Sequence, residues 1–315
     1  MPPTLRALAP FAARWSGLPG NLRGAVLVLL AGLGFTGMML CIKVLGREMS
    51  SWQIIFLRNL FAMALIVPIV VRQGAGVLST RRPRMHVLRS VLGMGGVTSL
   101  ILAITHIELT LATALGFTRI LFITLLAMAL LGEALRWRRL AATAAGFAGV
   151  LICLDLTGAR FDPWVFSALG FALFAAGVTI SVKELARTEK AATILVWSYS
   201  LMGLMAAVPM LFVWTTPSLE QLALIALMGV FTAFAQTCMV HGLRAGEASA
   251  VAPFEYARLP YAALFGFLLF QESPALSTLI GSAVIIASTL YIARSEARAR
   301  RLERDERKND ANPPG

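Results

Sequence analysis

Long apolar runs separated by short polar segments fill most of the 315-residue chain. Ten of the runs are about twenty residues long, which is the length that a helix needs to cross the hydrocarbon core of a bilayer. None alternates strictly between apolar and polar residues, as the strands of a spanning barrel do. The pattern predicts an all-α polytopic membrane protein with ten transmembrane helices. We place these helices at 24–46, 52–71, 87–106, 110–131, 140–157, 163–182, 192–213, 222–242, 248–270 and 275–293.

The composition agrees with a membrane protein. Hydrophobic residues make up 58% of the chain and charged residues only 14%, against about 25% charged residues in a soluble domain. The same figures exclude a disordered protein, which is poor in apolar residues. The three cysteines, Cys41, Cys153 and Cys238, lie inside apolar runs and have no metal-binding spacing. We therefore predict neither a disulfide scaffold nor a bound metal or cofactor.

The distribution of positive charge predicts the orientation. If the N-terminus is cytoplasmic, 21 of the 28 Lys and Arg residues lie in cytoplasmic segments and two lie in outer loops. Such a bias is typical of bacterial inner-membrane proteins with both termini inside. The net charge of +12 then reflects contact with membrane lipid and not binding to nucleic acid. Residues 1–23 form a cytoplasmic N-terminal segment, and 294–315 form a basic tail that we expect to be disordered.

Part of the chain resembles another part. Residues 103–153 match 242–292 without a gap at a shift of 139, with nine identities in 51 positions. Apolar matches are common between membrane helices, but matched charges are not. Three of the identities are charged: Glu108 with Glu247, Arg119 with Arg258, and Glu133 with Glu272.

These matches divide the chain into two repeats of five helices, at 24–157 and 158–293. Because five is an odd number, the second repeat enters the bilayer in the opposite direction to the first. Inverted repeats are a recurring feature of secondary transporters, in which the substrate site lies near the midplane between the repeats.

Four charged residues lie deep within the predicted helices: Arg58, Arg119, Glu255 and Arg258. A charge at the bilayer centre costs at least about 2.5–3.5 kcal/mol, so these side chains should face protein or water. They form either an ion network that only locks the bundle or the lining of a substrate cavity. Since arginine binds carboxylate and phosphate groups with a planar fork, the second interpretation predicts a substrate with an anionic group.

Further polar residues could complete such a lining, namely Asn59, Trp197, Gln236 and Tyr256. Glu255 is also the candidate for proton coupling, because it is the one acidic side chain among the four deep charges. Three other charged residues, Lys43, Arg89 and Asp155, lie near helix ends and should reach the membrane interface. Pro253 and Pro260 should loosen the ninth helix beside Glu255.

Two segments carry a family resemblance: ATALGFTRILFITLLAMALLGE at 112–133 and VAPFEYARLPYAALFGFLLFQE at 251–272. With FLRNLFA at 56–62, they resemble the EamA-like family of the drug/metabolite transporter superfamily. Gln271 departs from the glycine usual before the closing glutamate. The resemblance implies a secondary carrier with a cavity between two halves. The stretch PFEYARLPYAALFGFLLF is similar to members that take up S-adenosylmethionine or riboflavin.

The sequence thus predicts a secondary active transporter that moves a small polar metabolite across the inner membrane by alternating access. The cargo would be amino-acid-like, carboxylate-bearing, or of the S-adenosylmethionine or riboflavin type, and protons or a counter-substrate would drive it. The alternatives are a non-transporting scaffold or regulatory subunit, a channel, and an intramembrane enzyme. An enzyme is disfavoured because no HExxH, GxSxG or Walker motif is present. Either a monomer or a homodimer is compatible with the sequence.

Overall fold

The computed structural model describes residues 19–131, 137–154, 162–185, 187–245 and 251–311. Within these ranges the chain forms eleven α-helices and no strand. The helices are α1 Gly20–Leu45, α2 Ser51–Gln73, α3 Pro83–His106, α4 Leu109–Gly116, α5 Arg119–Leu131, α6 Trp137–Leu154, α7 Val165–Leu185, α8 Ala191–Phe212, α9 Leu219–Ala245, α10 Arg258–Phe270 and α11 Leu276–Ala311. Two short 3₁₀ helices span Ala75–Leu78 and Ala252–Ala257.

Every predicted membrane span coincides with a helix, which confirms the all-α polytopic fold. Six segments in the described part of the chain are long and apolar enough to cross a bilayer. Two shorter apolar helices, at Leu140–Leu154 and Leu276–Ile292, account for the fifth and tenth spans. The second span is α2. The fourth and ninth spans are each built from two consecutive helical segments.

The fourth and ninth spans break at equivalent places. Helix α5 begins at Arg119 and helix α10 at Arg258, the two arginines that the repeat matches. In the ninth span Pro253 lies in the 3₁₀ turn and Pro260 in the first turn of α10, which agrees with the predicted loosening of the helix. The fourth span has no proline, and its break was not predicted. There, N–H groups bond three residues back in a tight turn at Phe117 and Thr118.

The helix interfaces follow the symmetry of two repeats. Extensive contacts join α1 to α9 and α3 to α7. These are the first span with the eighth and the third span with the sixth, and exchanging the two halves converts one pair into the other. The other large interfaces, α6 with α11 and α2 with α8, join equivalent spans and map onto themselves. This pairing is the one expected of two equivalent five-helix repeats.

Glycine allows close backbone contact at the most extensive interfaces. A Cβ atom at Gly149 on α6 would lie 2.8 Å from the carbonyl oxygen of Gly281 on α11. A Cβ atom at Gly242 on α9 would lie 3.0 Å from the carbonyl oxygen of Gly24 on α1. Membrane helices pack through such small residues because lipid provides no hydrophobic drive for their association.

Helix α11 continues past the predicted tenth span to Ala311. Residues 294–311, which the sequence predicted to belong to a disordered tail, lie in this helix. The sequence contains the reason, since Glu296 precedes Arg300 by four positions and Glu303 precedes Arg307 by four. Acid-to-base pairs with this spacing and order stabilise helices in water.

Candidate functional site

Three of the predicted site residues meet where the fourth and ninth spans break. Glu255 lies in the 3₁₀ helix before α10, and its Oε1 atom accepts a hydrogen bond of 2.7 Å from Nη2 of Arg258. Nη2 of Arg119, the first residue of α5, lies 3.9 Å from the same oxygen. One carboxylate oxygen thus faces two guanidinium groups, one from each repeat. We call these three residues the central cluster.

The local backbone explains why an acid is needed here. The N-terminus of an α-helix carries a partial positive charge, and both arginines stand at such an end. Their guanidinium charges add to those of the helix ends, and Glu255 offsets part of the total. The central cluster retains one positive charge, which favours a ligand with an anionic or electron-rich group.

Aromatic rings surround the central cluster. The guanidinium carbon of Arg258 lies 5.4 Å from the ring centroid of Phe35 and 5.1 Å from that of Phe117. Phe117 in turn packs against Tyr256 at a centroid distance of 4.8 Å, and the Tyr256 hydroxyl is hydrogen-bonded to that of Thr289. Such rings offer flat faces to a cationic or heteroaromatic ligand.

The central cluster is accessible. The side chains of Arg119, Glu255 and Arg258 are 39%, 28% and 20% exposed. A network that only locked helices together would be expected to be closed and fully satisfied, whereas these side chains are partly open. That they line a substrate cavity stays a prediction.

The other predicted site residues lie elsewhere. Asn59 on α2 faces α8, where its Cβ lies 3.8 Å from the position that a Cβ would take at Gly203. Its neighbour Arg58 is half-buried. Trp197 stacks on His86 and donates a hydrogen bond to the Leu78 carbonyl, near the predicted cytoplasmic end. Gln236 is exposed on α9. Their role in substrate binding stays a prediction.

A second charged cluster, at the predicted outer end, was not identified from the sequence. Lys43 was expected to reach the membrane interface, but it is buried and forms an ion pair with Glu272. Its Nζ atom also donates to the Ile107 carbonyl at 2.9 Å, and Oε2 of Glu272 accepts the N–H of Leu109 at 2.8 Å. The prediction for Lys43 is wrong because these partners satisfy the ammonium group inside the protein. We call Lys43 and Glu272 the outer ion pair.

The repeat match of Glu272 with Glu133 was the available signal for this cluster, but nothing along the chain marks Lys43 as its partner. Glu133 and Asp155 lie outside the described residues. Arg89 is half-buried on α3, and its Nε atom is buried without a hydrogen-bond partner.

A recess of about 500 Å³ lies directly beside the outer ion pair. Its lining includes Ile107, whose carbonyl binds Lys43, and Ser273, which follows Glu272. None of the three residues of the central cluster belongs to its lining. The outer ion pair therefore lies at the edge of this recess, apart from the central cluster. Among the described residues, no group of three His, Cys, Asp or Glu side chains could hold a metal ion.

Two symmetric helical halves with an accessible charged cluster shared between them define a secondary transporter of the inverted-repeat class. The chain belongs to the EamA-like transporter family, whose model matches residues 22–154 and 162–294. One solved structure superposes on this chain with a TM-score of 0.55 at 18% identity, over 86% of this chain and 97% of its own. That likeness concerns the fold alone.

Two kinds of named relatives are similar over most of the chain. The S-adenosylmethionine uptake transporter of Rickettsia bellii is 31% identical over 82% of this chain and 88% of its own length. The riboflavin transporter of Rhizobium johnstonii is 32% identical over 88% of this chain and 93% of its own. The riboflavin transporter of Brucella anthropi is 30% identical over 78% and 88%.

Proposed function

We propose that this transporter imports S-adenosylmethionine or a closely similar adenosyl sulfonium compound across the bacterial inner membrane, with both of its termini in the cytoplasm. The observation that carries the proposal is the accessible central cluster, where one carboxylate and two guanidinium groups lie among aromatic rings. The orientation rests on the excess of Lys and Arg in the predicted cytoplasmic segments.

The chemistry of the central cluster suits this cargo. S-adenosylmethionine carries a carboxylate, an ammonium group, a sulfonium centre and an adenine ring. Glu255 can attract the cationic part, and the net positive charge of the central cluster attracts the carboxylate end of the molecule toward the site. The rings of Phe117 and Tyr256, 4.8 Å apart, can pack against adenine. Similarity to relatives named for S-adenosylmethionine uptake supports the same cargo.

The geometry also supports alternating access between the two halves. Glu255 and Arg258 belong to one half and are 2.7 Å apart, whereas Arg119 belongs to the other half and lies at 3.9 Å. A rocking motion would break the longer contact and preserve the shorter one. We propose that cargo takes the place of the contact between halves, and that protonation of Glu255 or exchange with a counter-substrate provides the coupling.

Riboflavin is the second candidate cargo, because relatives at 30% and 32% identity are named riboflavin transporters. Riboflavin has a flat ring system and a hydroxylated chain but no carboxylate. It would use the aromatic rings and leave one guanidinium group without an anionic partner. Transport of S-adenosylmethionine should therefore depend on the arginines of the central cluster more strongly than transport of riboflavin does.

The test is uptake by proteoliposomes that contain the purified protein, with labelled S-adenosylmethionine and labelled riboflavin in parallel. We expect saturable uptake of S-adenosylmethionine that Arg119→Ala abolishes, since this change removes the contact between halves. Arg187→Ala is the matched control, because Arg187 is a surface arginine, 66% exposed, in an ion pair with Glu184. Uptake of riboflavin alone would replace the proposed cargo. Uptake of neither compound in vesicles with folded protein would contradict the proposal and favour a scaffold.

A further inference from the structure

Buried and half-buried polar side chains lie at a second place, where α2, α3 and α8 pack against one another. They are Arg58 and Asn59 on α2, Arg89 and Ser90 on α3, and Tyr199 on α8. We call this place the three-helix junction. It shares no residue with the central cluster or with the outer ion pair.

The spacing of contacts along α3 directs two of these residues toward α8. His86, Ser90 and Gly93 lie three to four positions apart and therefore on one face of the helix. The ring of His86 stacks on Trp197 of α8 at a centroid distance of 5.4 Å. A Cβ at Gly93 would lie 3.1 Å from the sulfur of Met202, also on α8. Since both ends of this face contact α8, Ser90 and the adjacent Arg89 lie at the same interface.

Several polar atoms at the three-helix junction have no hydrogen-bond partner. Asn59 is 1% exposed, and both its amide oxygen and its amide nitrogen are buried and unpaired. The hydroxyl of Ser90, a residue with no exposed surface, and the Nε atom of Arg89 are unpaired too. An unpaired polar group is costly to bury, above all inside a membrane. Three side chains on helices that pack against α8 thus have unused hydrogen-bond donors.

The three-helix junction also carries uncompensated positive charge. In the described part of the chain, no acidic side chain lies within ion-pair distance of Arg58 or Arg89. Arg58 precedes Asn59 on α2 and Arg89 precedes Ser90 on α3, so each guanidinium group extends from a helix that contacts α8. The contrast with the central cluster is clear, because there Arg119 and Arg258 share the carboxylate of Glu255.

We propose that the three-helix junction is an anion-binding subsite that takes the carboxylate of the transported molecule. The proposal rests on the proposed function, and it assigns the carboxylate to Arg58 and Arg89 instead of the arginines beside Glu255. Two guanidinium groups, an amide N–H and a hydroxyl match the acceptors of a carboxylate. The central cluster is then left to bind the cationic and adenosyl parts. A lipid phosphate offers similar acceptors, so the test must separate the two sources.

The test compares the dissociation constants of S-adenosylmethionine and its decarboxylated analogue for the purified protein in phosphatidylcholine nanodiscs. Arg89→Gln and Arg58→Gln should each weaken binding of S-adenosylmethionine roughly 10- to 100-fold, the value of a hydrogen bond to a charged group. Both variants should bind the decarboxylated analogue as the wild type does. Arg84→Gln is the control, since Arg84 is exposed on the first turn of α3 and should leave both constants unchanged.

A further variant guards against simple misfolding. Asn59→Asp places a carboxylate beside the unpaired guanidinium groups, so it should raise the thermal midpoint and still weaken binding of S-adenosylmethionine. A structural role alone would not produce these opposite changes. The proposal is overturned if Arg89→Gln weakens both ligands equally or weakens neither.

Two other outcomes concern the source of the anion and the identity of the cargo. If phosphatidylglycerol stabilises the wild type but not Arg89→Gln, and affinity for S-adenosylmethionine is unchanged, the subsite holds a lipid headgroup and the proposal fails. If the wild type binds neither adenosyl compound, the proposed cargo is wrong. In that case succinate and inorganic phosphate become the probes. If either probe stabilises the wild type but not Arg89→Gln, the anion-binding subsite is supported. If the wild type and Arg89→Gln respond equally, the subsite is refuted.

Discussion

Two clusters built from the same kinds of side chain differ in how much solvent reaches them. In the outer ion pair, the side chains of Lys43 and Glu272 are 3% and 14% exposed. In the central cluster, Arg119, Glu255 and Arg258 are 39%, 28% and 20% exposed. The outer ion pair also binds a backbone carbonyl and a backbone N–H, whereas the Glu255 carboxylate of the central cluster faces two guanidinium groups.

This difference indicates two roles for charge within one membrane protein. The outer ion pair connects the end of α1, the link between α3 and α4, and the end of α10. Its charges are satisfied inside the protein, so their loss should act on stability. The central cluster is partly open and held by one short and one long contact. Its charges are available to a ligand, so their loss should act on transport.

The largest effect on stability should come from Lys43→Met. It leaves Glu272 buried without its cation, and breaking a buried ion pair in this way costs about 3–5 kcal/mol. Arg47→Met is the matched control. Arg47 is exposed and, like Lys43, lies over the ring of Phe270, but no ion pair joins it to Glu272. Denaturant-induced unfolding in detergent measures both variants.

The double variant Lys43→Met with Glu272→Met sharpens this result. Replacing both partners removes the uncompensated charge, so most of the lost stability should return. If Lys43→Met were no less stable than Arg47→Met, the outer ion pair would not stabilise the fold. The proposed difference in role between the outer ion pair and the central cluster would then be wrong.

Glu255→Gln should have the opposite profile. The change keeps the shape of the side chain but removes the charge that faces Arg119 and Arg258, so the initial rate of uptake should fall roughly 10- to 100-fold. Unfolding free energy should change by no more than about 1 kcal/mol, since the side chain is partly solvated. Glu184→Gln is the matched control, because Glu184 forms an ion pair with Arg187 at the same i, i+3 spacing on the surface. If Glu255→Gln lost as much stability as Lys43→Met, the central cluster and the outer ion pair would not differ in role.

Gly32→Ala tests whether the position of Arg258 matters as well as its charge. The added Cβ would lie 3.3 Å from Cγ of Arg258 and 3.2 Å from the ring of Tyr261, so the arginine must move by a fraction of an ångström. Transport should fall several-fold, and stability should fall by about 1 kcal/mol through overpacking. Gly229→Ala is the control, because a Cβ there meets nothing within 4 Å. It should stabilise the helix by roughly 0.5–1 kcal/mol and preserve transport.

The helices and the central cluster could be predicted from the sequence for one physical reason. A bilayer requires long apolar segments and penalises isolated charges within them, so both features can be read along the chain. The repeat then paired Arg119 with Arg258 across 139 positions, and the structure places both at a helix start near Glu255.

The outer ion pair and the three-helix junction could not be found in this way. Lys43 lies near a helix end, where a lysine usually reaches the interface, and only the fold shows that Glu272 meets it. Arg89 was likewise expected to reach the interface, and the fold places it half-buried with an unpaired Nε atom. The break at Phe117 was equally hidden, because no proline marks it.

The smallest effect on stability should come from weakening the bonds of a third carboxylate, that of Glu189. This residue lies in the turn between α7 and α8. Its Oε1 atom accepts hydrogen bonds from the Thr80 hydroxyl at 2.7 Å and from the Arg81 N–H at 3.1 Å. The Thr80 bond is the main cause that lowers the pKa of Glu189 from its usual value. A lowered pKa in the folded state contributes stability that is present at neutral pH and is lost as the pH falls through that pKa.

Thr80→Val should therefore lower the thermal midpoint at pH 7 by on the order of 1 °C, and the difference from the wild type should shrink once Glu189 is protonated. Thr188→Val is the control, because the hydroxyl of Thr188 bonds the Leu185 carbonyl and not Glu189. A difference that stayed constant with pH would assign the effect to the second bond of Thr80, which it accepts from the Arg82 N–H. The charge of Glu189 would then make no measurable contribution to stability, in contrast to the charges of the outer ion pair.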